Sequence, residues 1–176
     1  MATVVERTLE LNVISATHLK KVKTLGHQTS YVVAYIYPDQ RHTSQVDYNG
    51  GLSPAWNFKL NLKCNERLLQ RHGSYLTIEI YSKVHSSDKL VGTVIVPLRD
   101  LAKDPRCNIE TPAFMSFEVC RPSGLAKGVL NLSVRLGAVE KRPVQGPADH
   151  HSPRDFPPFV CTRVDQESCT AMMCAR

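Results

Sequence analysis

The chain has 176 residues, enough for one domain with an appendage, and its hydrophobic content of 42% is ordinary for a globular protein. No apolar run approaches the ~20 residues of a membrane-spanning helix. The N-terminus has no apolar signal-peptide core, and Ala2 departs from the myristoylation pattern, so we expect an intracellular, cytoplasmic protein. The net charge of +6 falls entirely within residues 1–139, which suits either an anionic partner or a solvated basic surface.

Alternation of apolar and polar residues recurs through the first 137 residues and predicts short, half-buried strands. Turn residues separate the strands, and helical periodicity is weak outside two candidate turns at 66–72 and 98–103. About eight strands at near-regular spacing are typical of an all-β, antiparallel sandwich. In chain order they are predicted at 9–13, 31–37, 41–47, 56–63, 76–80, 90–98, 115–119 and 130–136.

The fourth predicted strand contains the only tryptophan and alternates without an error. Its apolar residues predict a face turned to the core, and the polar residues between them predict a basic outer face. The first set is Trp56, Phe58, Leu60 and Leu62, and the second is Asn57, Lys59, Asn61 and Lys63.

After Val139 the character of the sequence changes, because prolines interrupt residues 140–176 and periodicity is lost. The sequence predicts a domain at 1–139 followed by a largely disordered tail at 140–176. The six cysteines form no C-x-x-C pair, which excludes zinc-ribbon and thioredoxin-type motifs and favours reduced thiols. Three of them, at 161, 169 and 174, lie in the tail and are candidates for S-acylation.

Four motifs in this order resemble the C2 domain family over about residues 6–137. They are the first strand and loop at 9–19, Tyr31-Val32-Val33, the turn Ser53-Pro54-Ala55-Trp56-Asn57, and 76–81 followed by Asp88-Lys89-Leu90-Val91-Gly92. The resemblance implies an eight-stranded C2-type β-sandwich. A C2 domain followed by a proline-containing tail is also similar to small plant C2 proteins of the cold-regulated and copine-associated types.

The resemblance implies that several aspartates of the first and third loops would hold calcium, which requires ~6–8 oxygen ligands. In this sequence the matching positions are Lys21, Thr29, Ser82, Val84 and Lys89. Asp88 is the one nearby carboxylate, offset by one residue from the family's ligand. We therefore expect that calcium binding is lost and that the protein uses no metal or other cofactor.

Basic residues occupy these loops instead, so the tip of the sandwich would be positive without metal. Each lysine near an anionic membrane contributes on the order of 1 kcal/mol, and Leu25 at the crest of the first loop would insert beside them. The alternative is that these are ordinary solvated loop lysines. The predicted membrane-binding residues are Lys20, Lys21, Lys23, Leu25, Lys83 and Lys89.

Some C2 domains bind phosphoinositides through lysines of the second and third strands. The matching positions here are Val33, Tyr35, His42 and Ser44, so that site is not reproduced. Arg41, Lys59 and Lys63 are predicted to form a secondary basic patch on the outer face.

Catalysis is not expected, because nucleophile elbow, phosphate-loop and H-E-x-x-H motifs are missing from the sequence. Tyr31, Tyr35 and Tyr37 share one strand face and are predicted to be core, so single-stranded nucleic acid is not an expected partner. The spacing of His150 and His151 relative to the tail cysteines fits no metal site.

Two functions remain open. The first is a calcium-independent C2 adaptor in plant stress or defence responses, peripheral at the plasma membrane, which docks on anionic phospholipid, recruits a signalling protein of unknown identity, or does both. The second is a pure protein-interaction module without lipid affinity.

Overall fold

A computed structural model describes residues 3–143 and Val164, and it shows eight antiparallel strands with two short helices. The strands follow the order β3-β2-β5-β6-β7-β8-β1-β4. Their bounds are β1 Thr3–Thr17, β2 Ser30–Tyr35, β3 His42–Thr43, β4 Ala55–Asn65, β5 Tyr75–Ser82, β6 Lys89–Pro97, β7 Ala113–Cys120 and β8 Ala126–Pro143. The helices are α1 Glu66–Gln70 and α2 Leu98–Lys103.

The sheet divides into two layers between β6 and β7. Within the described residues these strands pair at the single position Thr93–Cys120, whereas β7 pairs with β8 along its whole length. Apolar side chains of both layers meet in one core, with Leu11 and Leu132 from one layer and Ile78 and Val94 from the other.

The tryptophan strand follows its predicted alternation. In β4 the side chains of Trp56, Phe58, Leu60 and Leu62 turn toward the core, and the polar residues between them are exposed. Trp56 Nε1 donates a 3.0 Å hydrogen bond to the carbonyl of Ser30. The tryptophan therefore ties β4 of one layer to β2 of the other.

The eight predicted strands and both helical turns are confirmed, and the largest differences in length are those of β1, β3 and β8. β1 and β8 pair from Thr17–Val129 as far as Thr3–Pro143, so the first four residues assigned to the tail, 140–143, are strand. β3 is only two residues long; just after it, Ser44 N donates to the carbonyl of Val32, and Ser44 Oγ accepts from Val32 N at 2.9 Å. The remainder of the predicted tail lies outside the described residues, apart from Val164.

The prediction that Tyr31, Tyr35 and Tyr37 are core is confirmed only for the burial of Tyr35, which is 8% exposed, because Tyr31 and Tyr37 are half-buried. The core-facing residues of β2 are Val32 and Ala34, and Tyr31 and Tyr35 lie on the opposite face of the sheet. There Tyr31 stacks on Tyr81 with ring centroids 5.5 Å apart, and the Tyr35 hydroxyl donates to Glu79. An aromatic residue in a period-two pattern identifies a face but not which side of the sheet holds the core.

Strand direction alternates throughout, so the connections after β1, β3, β5 and β7 emerge at one end of the sandwich. We call this the loop end, formed by loop 1 (18–29), loop 2 (44–54), loop 3 (83–88) and loop 4 (121–125). Within the described part of the chain, neither helix has the length or apolarity to cross a bilayer.

Candidate functional site

Backbone and ring contacts hold the loops of the loop end against one another. Leu19 N in loop 1 donates to the carbonyl of Leu52 in loop 2 at 3.0 Å, and Lys83 N in loop 3 donates to the carbonyl of Thr29 at 3.0 Å. The His27 ring lies 3.1 Å from the carbonyl of Asn49. Loops 1, 2 and 3 therefore form one connected surface.

A buried glutamine determines the shape of loop 1. Gln28 is 2% exposed; its side chain accepts from Val22 N at 2.8 Å and donates to the carbonyl of Lys20 at 3.3 Å. These bonds brace the loop from inside. Lys20 and Lys21 are exposed, Lys23 is half-buried, and Leu25 is 84% exposed.

Loop 3 contains a cation and a carboxylate that pair with each other. Lys83 Nζ lies 3.1 Å from Asp88 Oδ2 and 5.6 Å from the centroid of the Tyr31 ring. Lys83, predicted as a membrane-binding cation, is therefore exposed but partly neutralised by Asp88, and Lys89 at the start of β6 is exposed as well.

Asp88, the one carboxylate of loop 3, accepts three hydrogen bonds. The Tyr31 hydroxyl donates at 2.8 Å, Lys83 Nζ at 3.1 Å and Val84 N at 3.2 Å. The Tyr31 bond is the largest of the influences that lower the pKa of Asp88, and the bonds from Lys83 and Val84 act in the same direction.

Asp47 has a comparable role in loop 2. Its carboxylate accepts from the amides of Asn49 and Ala55 at 2.8 Å and of Gly50 at 3.0 Å. Burial alone would raise the pKa of Asp47, but these amides, aided by His27, lower it overall. The side chain closes loop 2 and aligns its exit into β4.

Both loop-end carboxylates thus stabilise their own loops. At the positions where the family resemblance implies calcium ligands, Lys21 and Lys89 are exposed and Ser82 is fully buried. Residues 3–143 contain no group of three or more His, Cys, Asp or Glu placed to hold a metal ion.

Sequence reasoning missed part of the loop end. Leu125 in loop 4 is 63% exposed, Tyr48 in loop 2 is 65% exposed, and Leu52 is partly exposed. Lys127, just after loop 4, is also exposed. One signal in the sequence could have located the turn 122–125. An even number of predicted antiparallel strands separates it from loop 1, so the two lie at the same end of the sandwich.

The three residues of the predicted secondary basic patch come from both layers, and Lys63 lines a pocket with Gln40 and His42, the sequence neighbours of Arg41. Arg41 pairs with Glu79, and its guanidinium lies 4.5 Å from the Tyr35 ring centroid, on the layer of β2 and β5. Lys59 and Lys63 extend from β4 in the other layer. Lys59 borders a groove that also contains the Glu10–Arg135 ion pair.

Residues 7–112 match the family model described as C2 domain. The chain is 34% identical over 137 residues to Protein SRC2 of Glycine max, with 74% of this chain and 46% of that protein covered. It is 31% identical over 150 residues to the Protein SRC2 homolog of Arabidopsis thaliana, with coverages of 84% and 45%. The chain therefore spans slightly less than half the length of either relative.

Two solved structures show the same fold. The C2A domain of plant Extended Synaptotagmin 1 has a TM-score of 0.60 at 16% identity, with 74% of this chain and 94% of that chain covered. Calcium-bound C2A and C2B domains of Extended-Synaptotagmin 2 have a TM-score of 0.59 at 23% identity, covering 74% and 45%. At these identities the likeness concerns architecture alone.

Proposed function

This chain belongs to the C2 domain family, and we propose that it is a calcium-independent adaptor whose loop end docks on anionic membrane surfaces. The observation that carries the proposal is the composition of that end. Exposed lysines and leucines occupy it, and its two carboxylates are engaged in hydrogen bonds that brace the loops.

Charge supplies the first part of the attraction. The loops and the residues that immediately follow them, 18–29, 44–54, 83–89 and 121–127, contain seven lysines and arginines but only two carboxylates. Each cation held near an anionic surface contributes on the order of 1 kcal/mol, and the attraction falls off within a Debye length. Weak, reversible and salt-sensitive docking follows.

Apolar insertion supplies the second part. Leu25 and Leu125 project from different loops of the same end, each more than half exposed. Burial of one leucine side chain contributes about 1.5–3 kcal/mol. Insertion of both leucines would therefore add to the electrostatic attraction of the cations. Paired weak signals are the usual requirement for stable peripheral attachment.

The adaptor role includes recruitment of a protein, with the plasma membrane of a plant cell in stress or defence responses as the proposed setting. A second candidate is a protein-interaction module without lipid affinity. The feature that favours it is Phe114, which is 65% exposed on β7 beside the groove of Glu10 and Arg135. Neither candidate requires catalysis.

Co-sedimentation of the full chain with phosphatidylserine vesicles separates the two candidates. We expect equal binding in calcium and in chelator, and at least a tenfold loss when Lys20, Lys21 and Lys23 are changed to Glu. The matched control changes Lys59, Lys63 and Lys103 to Glu, which alters net charge equally but away from the loop end. Absence of binding at low salt would favour the protein-interaction module.

A further inference from the structure

The edge of β7 that faces away from β8 is open. β7 pairs with β8 from Ala113–Val134 to Cys120–Ala126, but with β6 at Cys120 alone among the described residues. A strand edge with unpaired backbone donors and acceptors is a template for a further strand.

One residue from beyond β8 contacts this edge. Val164 N donates a 3.0 Å hydrogen bond to the carbonyl of Ser116, in the middle of β7. Val164 is also half-buried. This contact places Val164 itself against the edge of β7.

The connection is long enough. Val164 lies 21 residues after Pro143, the last residue of β8, and 21 residues reach up to about 70 Å when extended. Asn131 of β8 is opposite Ser116, and the strand from Asn131 to Pro143 covers only about 40 Å. The chain can therefore turn back and reach the middle of β7 without strain.

The composition around Val164 suits an added strand. Residues 159–164 read Phe-Val-Cys-Thr-Arg-Val, with aromatic and β-branched side chains at four of the six positions. The prolines of the C-terminal region end at Pro158, so residues from 159 onward retain every backbone N–H.

We propose that the segment centred on Val164 docks in extended form along the open edge of β7 and completes that layer in cis. A covered edge is protected from pairing with other chains. A partner that adds a strand at β7 would compete with Val164 for the carbonyl of Ser116.

Nuclear magnetic resonance of the full chain tests the contact at both of its ends. Val164→Pro removes the donating N–H, and Val164→Ala is the matched control that retains it. We expect the Val164 amide of the unchanged protein to exchange roughly five- to tenfold more slowly than an unprotected amide, the factor for one backbone hydrogen bond. The carbonyl carbon resonance of Ser116 should move in Val164→Pro and remain in place in Val164→Ala.

Slow exchange of the Leu132 amide in both variants verifies that the sandwich is folded. The proposal is overturned if the Val164 amide exchanges at the unprotected rate, or if the Ser116 carbonyl resonance is the same in the two variants. Neither readout depends on lipid binding, so a failure here is distinguishable from a failure of the membrane proposal.

Discussion

The hydroxyl of Tyr31, in the strand that follows loop 1, donates a 2.8 Å hydrogen bond to Oδ2 of Asp88, the last residue of loop 3. Desolvation by burial is the main cause that raises the pKa of Tyr31 to about 12, and the bond to Asp88 adds to it. The tyrosine therefore stays protonated and continues to donate at any physiological pH. Asp88 therefore acts as a brace for loop 3.

Calcium should have little effect on stability, since Asp47 and Asp88 are each satisfied by three donors within the protein. A site with a Kd of 1 mM or weaker stabilises by at most about 0.4 kcal/mol at 1 mM calcium. We expect the Tm to rise by no more than about 2 °C relative to chelator. Magnesium at equal ionic strength is the control, and a larger shift specific to calcium would contradict the calcium-independent proposal.

The exposed leucines of the loop end should contribute directly to vesicle binding. Leu25→Asn together with Leu125→Asn should weaken binding to phosphatidylserine vesicles at least tenfold, because each removes about 1.5–3 kcal/mol of apolar insertion. Ile109→Asn together with Phe114→Asn is the matched control, since both side chains are exposed outside the loop end. Equal losses in the two double variants would mean that the leucines have no specific role.

Asp47 should make stability depend on pH. Because its pKa is lowered in the folded protein, the carboxylate stabilises the fold fully above the ordinary aspartate pKa, and this stabilisation is lost as pH falls through the folded-state pKa. Asp47→Asn should lower the free energy of unfolding by about 1–2 kcal/mol at pH 7. The stability of the Asp47→Asn variant should then change less between pH 6 and pH 3 than that of the unchanged protein.

Urea unfolding at several pH values measures this effect. Asp39→Asn, the same chemical change at an exposed residue between β2 and β3, should retain the pH dependence. Identical profiles of stability against pH for Asp47→Asn and the unchanged protein would show that the three hydrogen bonds to Asp47 do not control the pH dependence.

Gly128 should be intolerant of a side chain. It has φ of 96°, and an added Cβ would lie 2.9 Å from the carbonyl oxygen of Thr17 and 3.1 Å from that of His18. Gly73 has φ of 83° with open space around the Cβ position. Gly73→Ala should therefore lower the free energy of unfolding only by the backbone strain, about 1 kcal/mol.

Gly128→Ala should lower the free energy of unfolding by about 1–3 kcal/mol more than Gly73→Ala does, which is the range for overpacking. Thermal unfolding of the two variants compares them directly. Equal Tm values would mean that the end of β1 shifts to accommodate the methyl group.

The sequence was most informative where its signal is local. The alternation from Trp56 to Lys63 predicted β4 and its faces, because side chains of a strand point to opposite sides with a period of two. The same rule failed for Tyr31 and Tyr35, since alternation divides a strand into two faces without indicating which one meets the other layer. Val32 and Ala34, small and fully buried, occupy the core-facing side.

The candidate site was predictable only in part, because the position of one loop beside another depends on how the strands pair. Lys20, Lys21 and Leu25 were identified because the family resemblance placed them in the first loop, and all three are exposed in the structure, Leu25 to 84%. Leu125 belongs to none of the motifs that carry the resemblance, and only a count of the strands could have placed it. Its position beside the other loops follows from the pairing of β7, β8 and β1.

By itself, the sequence determined eight strands, two helical turns, the family and a loop region rich in lysine and poor in carboxylates. These are properties of residue type, spacing and order along the chain. The tertiary structure decided which cations remain exposed, that Asp47 and Asp88 are engaged within the protein, and that Val164 reaches the edge of β7. Each of these depends on contacts between residues far apart in sequence, such as Tyr31 and Asp88, and periodicity along the chain does not encode such distances.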